Sequence, residues 1–282
     1  MKLVQYRLRR DATNERRVGL LDDARRTVRA IAGASSTKEL LRLGQGPDGW
    51  TLGPEHAVEQ IVLEAPIHDP DKMIFVGLNY YDHAVESNMA VPSVPVIFPK
   101  YANSIVGPEA DVVIPAEVEQ CDYEVELAVV IGKTAKRVPI ERAMDVVFGY
   151  TIVNDVSARD IQLHEGQWTR GKAIDTFAPL GPFLATKDEI PDPHALAISL
   201  RLNGEDMQRS NTKELIFSIP YLISFLSRTI TLSPGDVIST GTPPGVGMGK
   251  KPPVWLKDGD VTEAFVQGLG TLSNRFVRER LS

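Results

Sequence analysis

CDYEVELAVVIG, residues 121–132, carries three carboxylates through a stretch otherwise built for a protein interior. Strand side chains alternate faces, so Asp122, Glu124 and Glu126 share one face while Tyr123, Val125 and Leu127 share the other. Two or three unpaired carboxylates on one partly buried face repel one another and resist desolvation, so something positive is required there. A divalent cation, a lysine or arginine, or simply water on the wet face of an edge strand would each answer that requirement.

Around this strand the chain has the texture of many short strands. From residue 72 these are MIFVGL, PVIF, DVVI, YEVELAVVIG, VVFGYTIVND, HALAISLRLNG, GDVIST and DGDVTEAFVQGLGTLSNRFV. The last reads as a terminal hairpin in which Gly268 and Gly270 permit sharp turning. NGE at 203–205 and PGD at 234–236 are turn signals. IERAMD, SARDIQLHEG and TKELIFSIPYLISFLSR are the helical candidates. Strand and helix do not alternate regularly, which argues against a barrel of eight strand-helix units and against a doubly wound sheet. A mixed β, or α+β, fold is expected. Residues 1–65 read as a small N-terminal α+β domain, with KLVQYRL and RRVGLLD as strands around the turn DATNE and one helix in SSTKELLRLG capped by Ser35 or Ser36. HDPDK marks its end, leaving 66–282 as the main domain.

Acidic residues outnumber basic ones 37 to 31, and the net charge of -6 includes no long one-sign block. A nucleic-acid partner would call for a basic face, so none is expected. The single cysteine, Cys121, excludes an internal disulfide framework and a four-cysteine zinc site, and reads as a buried, inert thiol. MKLVQYRLRR does not read as a signal peptide, and no run reaches the roughly 18 to 20 apolar residues of a membrane span. The expectation is a soluble, cytoplasmic protein.

VVFGYTIVNDVSARD places Asp155 at the end of a second apolar run, where a strand opens into a loop. With Glu124 and Glu126 it completes an oxygen-rich set suited to magnesium or manganese, whereas zinc would more usually recruit histidine or cysteine. In NYYDHAVE, His83 and Glu86 stand three residues apart, on one side of a helical turn, so that a carboxylate could hold one ring nitrogen and leave the other as a base. The following ESNMAVPSVP has the mixed, proline-containing composition of a lid. Lys172, among Trp168, Gly171 and Phe177, and Lys100 in VIFPKYANS are cations placed to pair with the carboxylates or to meet an anionic substrate. TGTPPGVGMG lacks the ending of a phosphate loop and reads as a rigid loop presenting backbone groups and the Thr240 hydroxyl. A GxSxG serine elbow is absent.

MIFVGLNYYDHAVE, DYEVELAVVIG, GYTIVNDVSARDIQ, QWTRGKAIDTFAPLGPF, GDVISTGTPPGVG and GLGTLSNRFV together resemble, in order, the signatures of the fumarylacetoacetate hydrolase family. Residues 1–65 resemble only the variable leading domain of many members. The resemblance implies a rolled β-sandwich with flanking helices, a homodimer, and Mg2+ or Mn2+ held by Glu124, Glu126 and Asp155. It implies a catalytic His83–Glu86 pair assisted by Lys172, with Lys100, Arg159, Gln162 and Thr240 at the substrate and Asp122 standing behind the ligands. Where founding enzymes carry an extra aspartate ligand this chain has IFVGL, which points to the acylpyruvase-like branch. The expected substrate is a 2-oxo or diketo acid, and the leading expectation is hydrolysis of the C3–C4 bond of an acylpyruvate. Oxaloacetate decarboxylation and hydroxymuconate-type isomerisation or tautomerisation share the same enolate chemistry and stand as alternatives. A retained binding protein without activity fits less well, because the full ligand set is present.

Overall fold

The computed structural model describes residues 1–11, 13–44, 46–86 and 90–280, with the side chains of 84–86 left aside. The strand Val125–Ile131 is buried at every position, because it lies inside a sheet with both faces covered. Its odd-numbered side chains, Val125, Leu127, Val129 and Ile131, enter one apolar cluster, while Ala128 and Val130 enter another. This is the period-two alternation of a strand, applied to two cores rather than to one core and solvent. An edge strand with a wet face is therefore not what the carboxylates occupy.

The strand belongs to a twelve-stranded mixed sheet. On one side it pairs antiparallel with Val147–Asn154, which pairs with Ala178–Thr186. On the other it pairs with Val237–Ser239, which runs parallel to Met73–Gly77, and Val96–Lys100 closes that edge. Ala178–Thr186 also pairs with Lys2–Leu8, so the N-terminal strands Arg17–Asp22, Thr27–Ala32 and Thr51–Ala57 continue the same sheet. A second sheet of five strands runs in the order Glu205–Asn211, Ala197–Leu202, Val261–Val266, Gly270–Arg278, Asp111–Ile114. Its Ile198, Leu200, Ala264, Val266, Leu272 and Phe276 share one buried cluster with Leu127, Val129 and Ile152 of the large sheet. Chemically, that cluster is the filling of a sandwich.

Helices are few and short, in keeping with a mixed α+β fold dominated by sheets. Thr37–Arg42 is capped by Ser36, whose hydroxyl accepts from the Glu39 amide, and it buries Leu40 and Leu41. SARDIQLHEG yields Arg159–His164, and the long apolar candidate narrows to Ile219–Ser227, capped by Ser218. IERAMD forms no α-helix: Ile140–Val146 is a 3-10 segment following Pro139. Among the described residues no helix is long and apolar enough to cross a membrane.

Close strand packing also explains one glycine. A Cβ on Gly149, within Val147–Asn154, would overlap the carbonyl oxygen of Ala185 on the neighbouring strand. Gly149→Ala is expected to cost about 1–3 kcal/mol in chemical unfolding. Gly166→Ala, where nothing lies within 4 Å, should stay within about 0.5 kcal/mol. Equal unfolding midpoints for the two variants would contradict this packing account.

Candidate active site

Two antiparallel strands bring the acids together. The register pairs Val125 with Asn154 and Glu126 with Val153, and one step further Glu124 faces Asp155, whose amide donates to the Glu124 carbonyl at 2.8 Å. The Asn154 side-chain oxygen accepts from the Glu124 amide at 2.9 Å. Ligand-type oxygens of Glu124, Glu126 and Asp155 then lie within 4.8 Å of one another, all three residues buried. Asp122 lies outside that trio. The strand is interrupted at Tyr123 and Glu124, and Asp122 belongs to a separate two-residue strand paired with Ser157–Ala158. Its carboxylate accepts from the amides of Tyr123, Gly247 and Met248, and from Arg159 Nε at 2.9 Å.

Cations fill the spaces between the acids. Lys172 Nζ donates to Glu124 Oε2 and to Asp155 Oδ2, each at 2.8 Å. Arg159 donates to Glu124 Oε1 at 2.5 Å and to Gln162 Oε1 at 2.9 Å. Lys100 Nζ donates to the carbonyls of Val156 and Phe177 at 2.8 and 2.6 Å. It also stands 2.5 Å from Asp155 Oδ1, but off the direction a hydrogen bond needs, so that buried oxygen has no hydrogen-bond partner. Glu126 is held differently, accepting from the Ser239 hydroxyl and, at 2.9 Å, from the Gly241 amide.

These environments push the acids apart. Burial, with Asp155 and Glu124 adding to it, raises the Glu126 carboxyl well above its ordinary range. Burial also opposes ionisation of Glu124, but Arg159 and Lys172 outweigh it and hold that carboxyl far below the usual range. Lys100 is lowered by burial to about 8, with Asp155 pulling the other way. A site that leaves one carboxyl under-compensated and one buried carboxylate oxygen without a hydrogen bond suits a hard cation. Octahedral magnesium, with bonds of about 2.1 Å, sets its oxygens roughly 3 to 4.2 Å apart, and the three acids bring theirs within 4.8 Å of one another.

Gly171 admits the helix Thr169–Lys172 against Arg159–His164, for a Cβ there would stand 2.6 Å from the Gln162 amide nitrogen. Lys100, Arg159 and Gln162 are engaged with the carboxylate cluster and its surrounding backbone. Thr240 is fully buried, and its hydroxyl donates to the Leu127 carbonyl at 2.9 Å. The Thr240 hydroxyl is therefore turned inward rather than presented to a substrate, and the loop's amides serve the protein's own acids, Gly241 donating to Glu126 and Gly247 and Met248 to Asp122. Asn79 ties the loop after Met73–Gly77 to this one, donating to the carbonyls of Thr240 and Phe217 at 2.7 and 3.1 Å. Gly241, at φ +99°, lets the two loops touch, because a Cβ would lie 2.8 Å from Asn79 Cβ. Half-buried His83 sits on the short helix Tyr81–Glu86 that follows, and Asp82 on that helix accepts from the Ser210 hydroxyl at 2.5 Å. The Glu86 side chain lies outside the described residues, as does part of the ESNMAVPSVP lid.

The architecture and the sequence match known proteins. Residues 72–277 fit the family model described as fumarylacetoacetate (FAA) hydrolase C-terminal. The chain belongs to the fumarylacetoacetate hydrolase family. Within it, mitochondrial oxaloacetate tautomerase Fahd2a of Rattus norvegicus is 51% identical over 219 residues, covering 77% of this chain and 70% of that protein. The crystal structure of 5-carboxymethyl-2-hydroxymuconate delta-isomerase from Mycobacterium smegmatis superimposes with a TM-score of 0.83 at 36% identity, over 99% of this chain and 100% of that one. Fumarylacetoacetate hydrolase from Exiguobacterium antarcticum does so at 0.85 and 36%, with the same coverage. Family membership and these relatives make the chain an enzyme.

Several supporting residues gave no signal in the sequence. Ser239 and Gly241 reach Glu126 only through non-local strand pairing. Tyr80 is fully buried with no hydrogen-bond partner for its hydroxyl, and burial, with Glu126 and Asp82 adding, raises its phenol far above the ordinary range. Lys172→Met would leave Glu124 and Asp155 without their shared ammonium. It is expected to cost about 3–5 kcal/mol in EDTA-treated protein, and saturating Mg2+ should recover much of the loss. Thermal unfolding with and without the ion measures both effects, and a variant as stable as wild type in EDTA would refute the pairing.

Proposed function

We propose that the chain is a Mg2+- or Mn2+-dependent tautomerase that interconverts the enol and keto forms of an oxaloacetate-like 2-oxo diacid. The observation that carries this reading is the buried Glu124, Glu126 and Asp155 cluster with Lys172 set between two of its members, in a chain about half identical to oxaloacetate tautomerases. Glu124, Glu126 and Asp155 hold the ion. When bound, the ion supplies Lewis acidity toward a 2-oxo carboxylate and favours its enolate.

The protein's own groups do the rest. Lys172 keeps a positive charge beside the acids and stabilises negative charge developing on the substrate oxygens. His83 exchanges the proton at carbon 3, giving it in the ketonising direction and taking it in the other, while the enol oxygen loses or regains its own. The Thr240–Gly241 loop holds Glu126 in place through the Gly241 amide.

Hydrolysis of an acylpyruvate at C3–C4 is the second reading, favoured by the position of His83 on an element beside the carboxylates where it could activate water. Decarboxylation of oxaloacetate needs no such base.

EDTA-treated protein should convert enol-oxaloacetate no faster than buffer, and Mg2+ or Mn2+ should restore turnover. Activity indifferent to both treatments would sink the metal assignment. His83→Ala should lower kcat by about 10²- to 10⁴-fold while leaving calorimetric metal affinity unchanged. Pyruvate released from acylpyruvates, with no ketonisation of oxaloacetate, would select the hydrolytic reading instead.

A further inference from the structure

The N-terminal strands carry a set of polar atoms that the carboxylate centre does not use. Thr51–Ala57 leads through the 3-10 turn Val58–Gln60 into Ile61–Glu64, which pairs back onto Lys2–Leu8. The sheet of Lys2–Leu8, Arg17–Asp22, Thr27–Ala32 and Thr51–Ala57 is therefore curled, with its first and last strands approaching one another. Gly19 makes room inside the curl. A Cβ there would stand 3.0 Å from Tyr6 Cε1 and 2.5 Å from Val28 Cγ1, so the Tyr6 ring crosses the bare position and reaches His56, centroid to centroid 6.0 Å.

Three buried polar atoms meet at this place. The Tyr6 hydroxyl, Arg17 Nε and His56 Nε2 each lack a hydrogen-bond partner among the described residues. Arg17 is the cross-strand neighbour of Tyr6, and its Nη2 is already shared by Asp11 at 2.8 Å and Glu15 at 3.0 Å, while its buried Nε–H has no partner. Most buried polar groups in native interiors are paired, and three unpaired ones on neighbouring side chains mark a place where something binds. Beside them opens a cavity of about 630 Å³ lined by Arg9, Arg10, Asp11, His56, Glu59 and Gln60. Its two acids are neutralised within the protein, Asp11 by Arg17 and Glu59 by Arg26 at 2.8 Å. Among the described residues, Arg9 and Arg10 pair with no carboxylate.

We propose that the mouth of this curled sheet binds a small oxyanion, a carboxylate or phosphate group. Its oxygens accept from the Tyr6 hydroxyl, the Arg17 Nε–H and the His56 Nε2–H, while Arg9 and Arg10 supply charge. The site is separate from the carboxylate centre, and it gives the N-terminal strands a ligand of their own.

Imidazole NMR of the full chain tests this, with the His56 signal assigned by its loss in His56→Gln. Titration with inorganic phosphate and, separately, malonate should shift the His56 resonance saturably. A response to phosphate alone identifies a phosphate-bearing ligand, and a response to malonate alone identifies a carboxylate. A His83 response reports binding at the carboxylate centre and is read apart. Tyr6→Phe, which removes only an unpaired hydroxyl, should weaken the His56 response about tenfold, the loss of one good hydrogen bond, without lowering the unfolding temperature. Arg17→Lys, which keeps the charge but loses the Nε–H, should weaken it similarly. If neither anion shifts His56, or if both variants bind as well as wild type, the three atoms are satisfied by water and the proposal fails.

Discussion

The structure depends on a balance of buried charge. Four carboxylates, Asp122, Glu124, Glu126 and Asp155, and three cations, Lys100, Arg159 and Lys172, are buried together. Each of these ions would cost several kcal/mol to bury alone, so the strands and loops that bear them are committed to one arrangement. Burial, Asp155 and Glu124 raise the Glu126 carboxyl, so it is the acid that these cations leave least compensated, and a divalent ion held there would favour its ionised form. In the proposed reaction that ion would also help to draw in an anionic 2-oxo acid.

How much of this was legible in the sequence follows from what is local. Glu124 and Glu126 announced themselves because strand periodicity puts them on one face, and Asp155 because a strand end is visible in VVFGYTIVND. The motif resemblance supplied the family and the sandwich. What stayed hidden was set by register: Ser239 reaches Glu126 because Val237–Ser239 pairs with the carboxylate strand, and nothing near residue 239 says so. Asp122 misled the face-sharing argument for a related reason. The amides of Gly247 and Met248 draw its carboxylate to another loop, and the strand breaks beside it.

The cations were read as facing substrate, and the structure gives them a further duty. A lysine or arginine in a sequence advertises its charge but not its partner. Lys100 is satisfied by two carbonyls and an ion pair, and Arg159 by two carboxylates and an amide oxygen. Such fully engaged groups serve chiefly to fix the ligands in place, since a catalytic constellation is only as precise as the groups that support it.

The site consequently has two parts of different mechanical character. The acids and their counter-ions rest on interior strands or on short helices packed against them, locked by backbone pairing and by close contacts at Gly149, Gly171 and Gly241. His83 rests instead on a six-residue helix joined to the sheet through Asn79 and through the Asp82–Ser210 bond. In the proposed reaction, chelation and enolate stabilisation would belong to the rigid part, and the fate of the enolate would depend on proton or water delivery from the attached part. Changing a short helix and its loop costs far less than moving a buried ion network. One fold can therefore keep its 2-oxo acid chemistry and change its outcome, as relatives named as tautomerase, isomerase and hydrolase on the same framework would require.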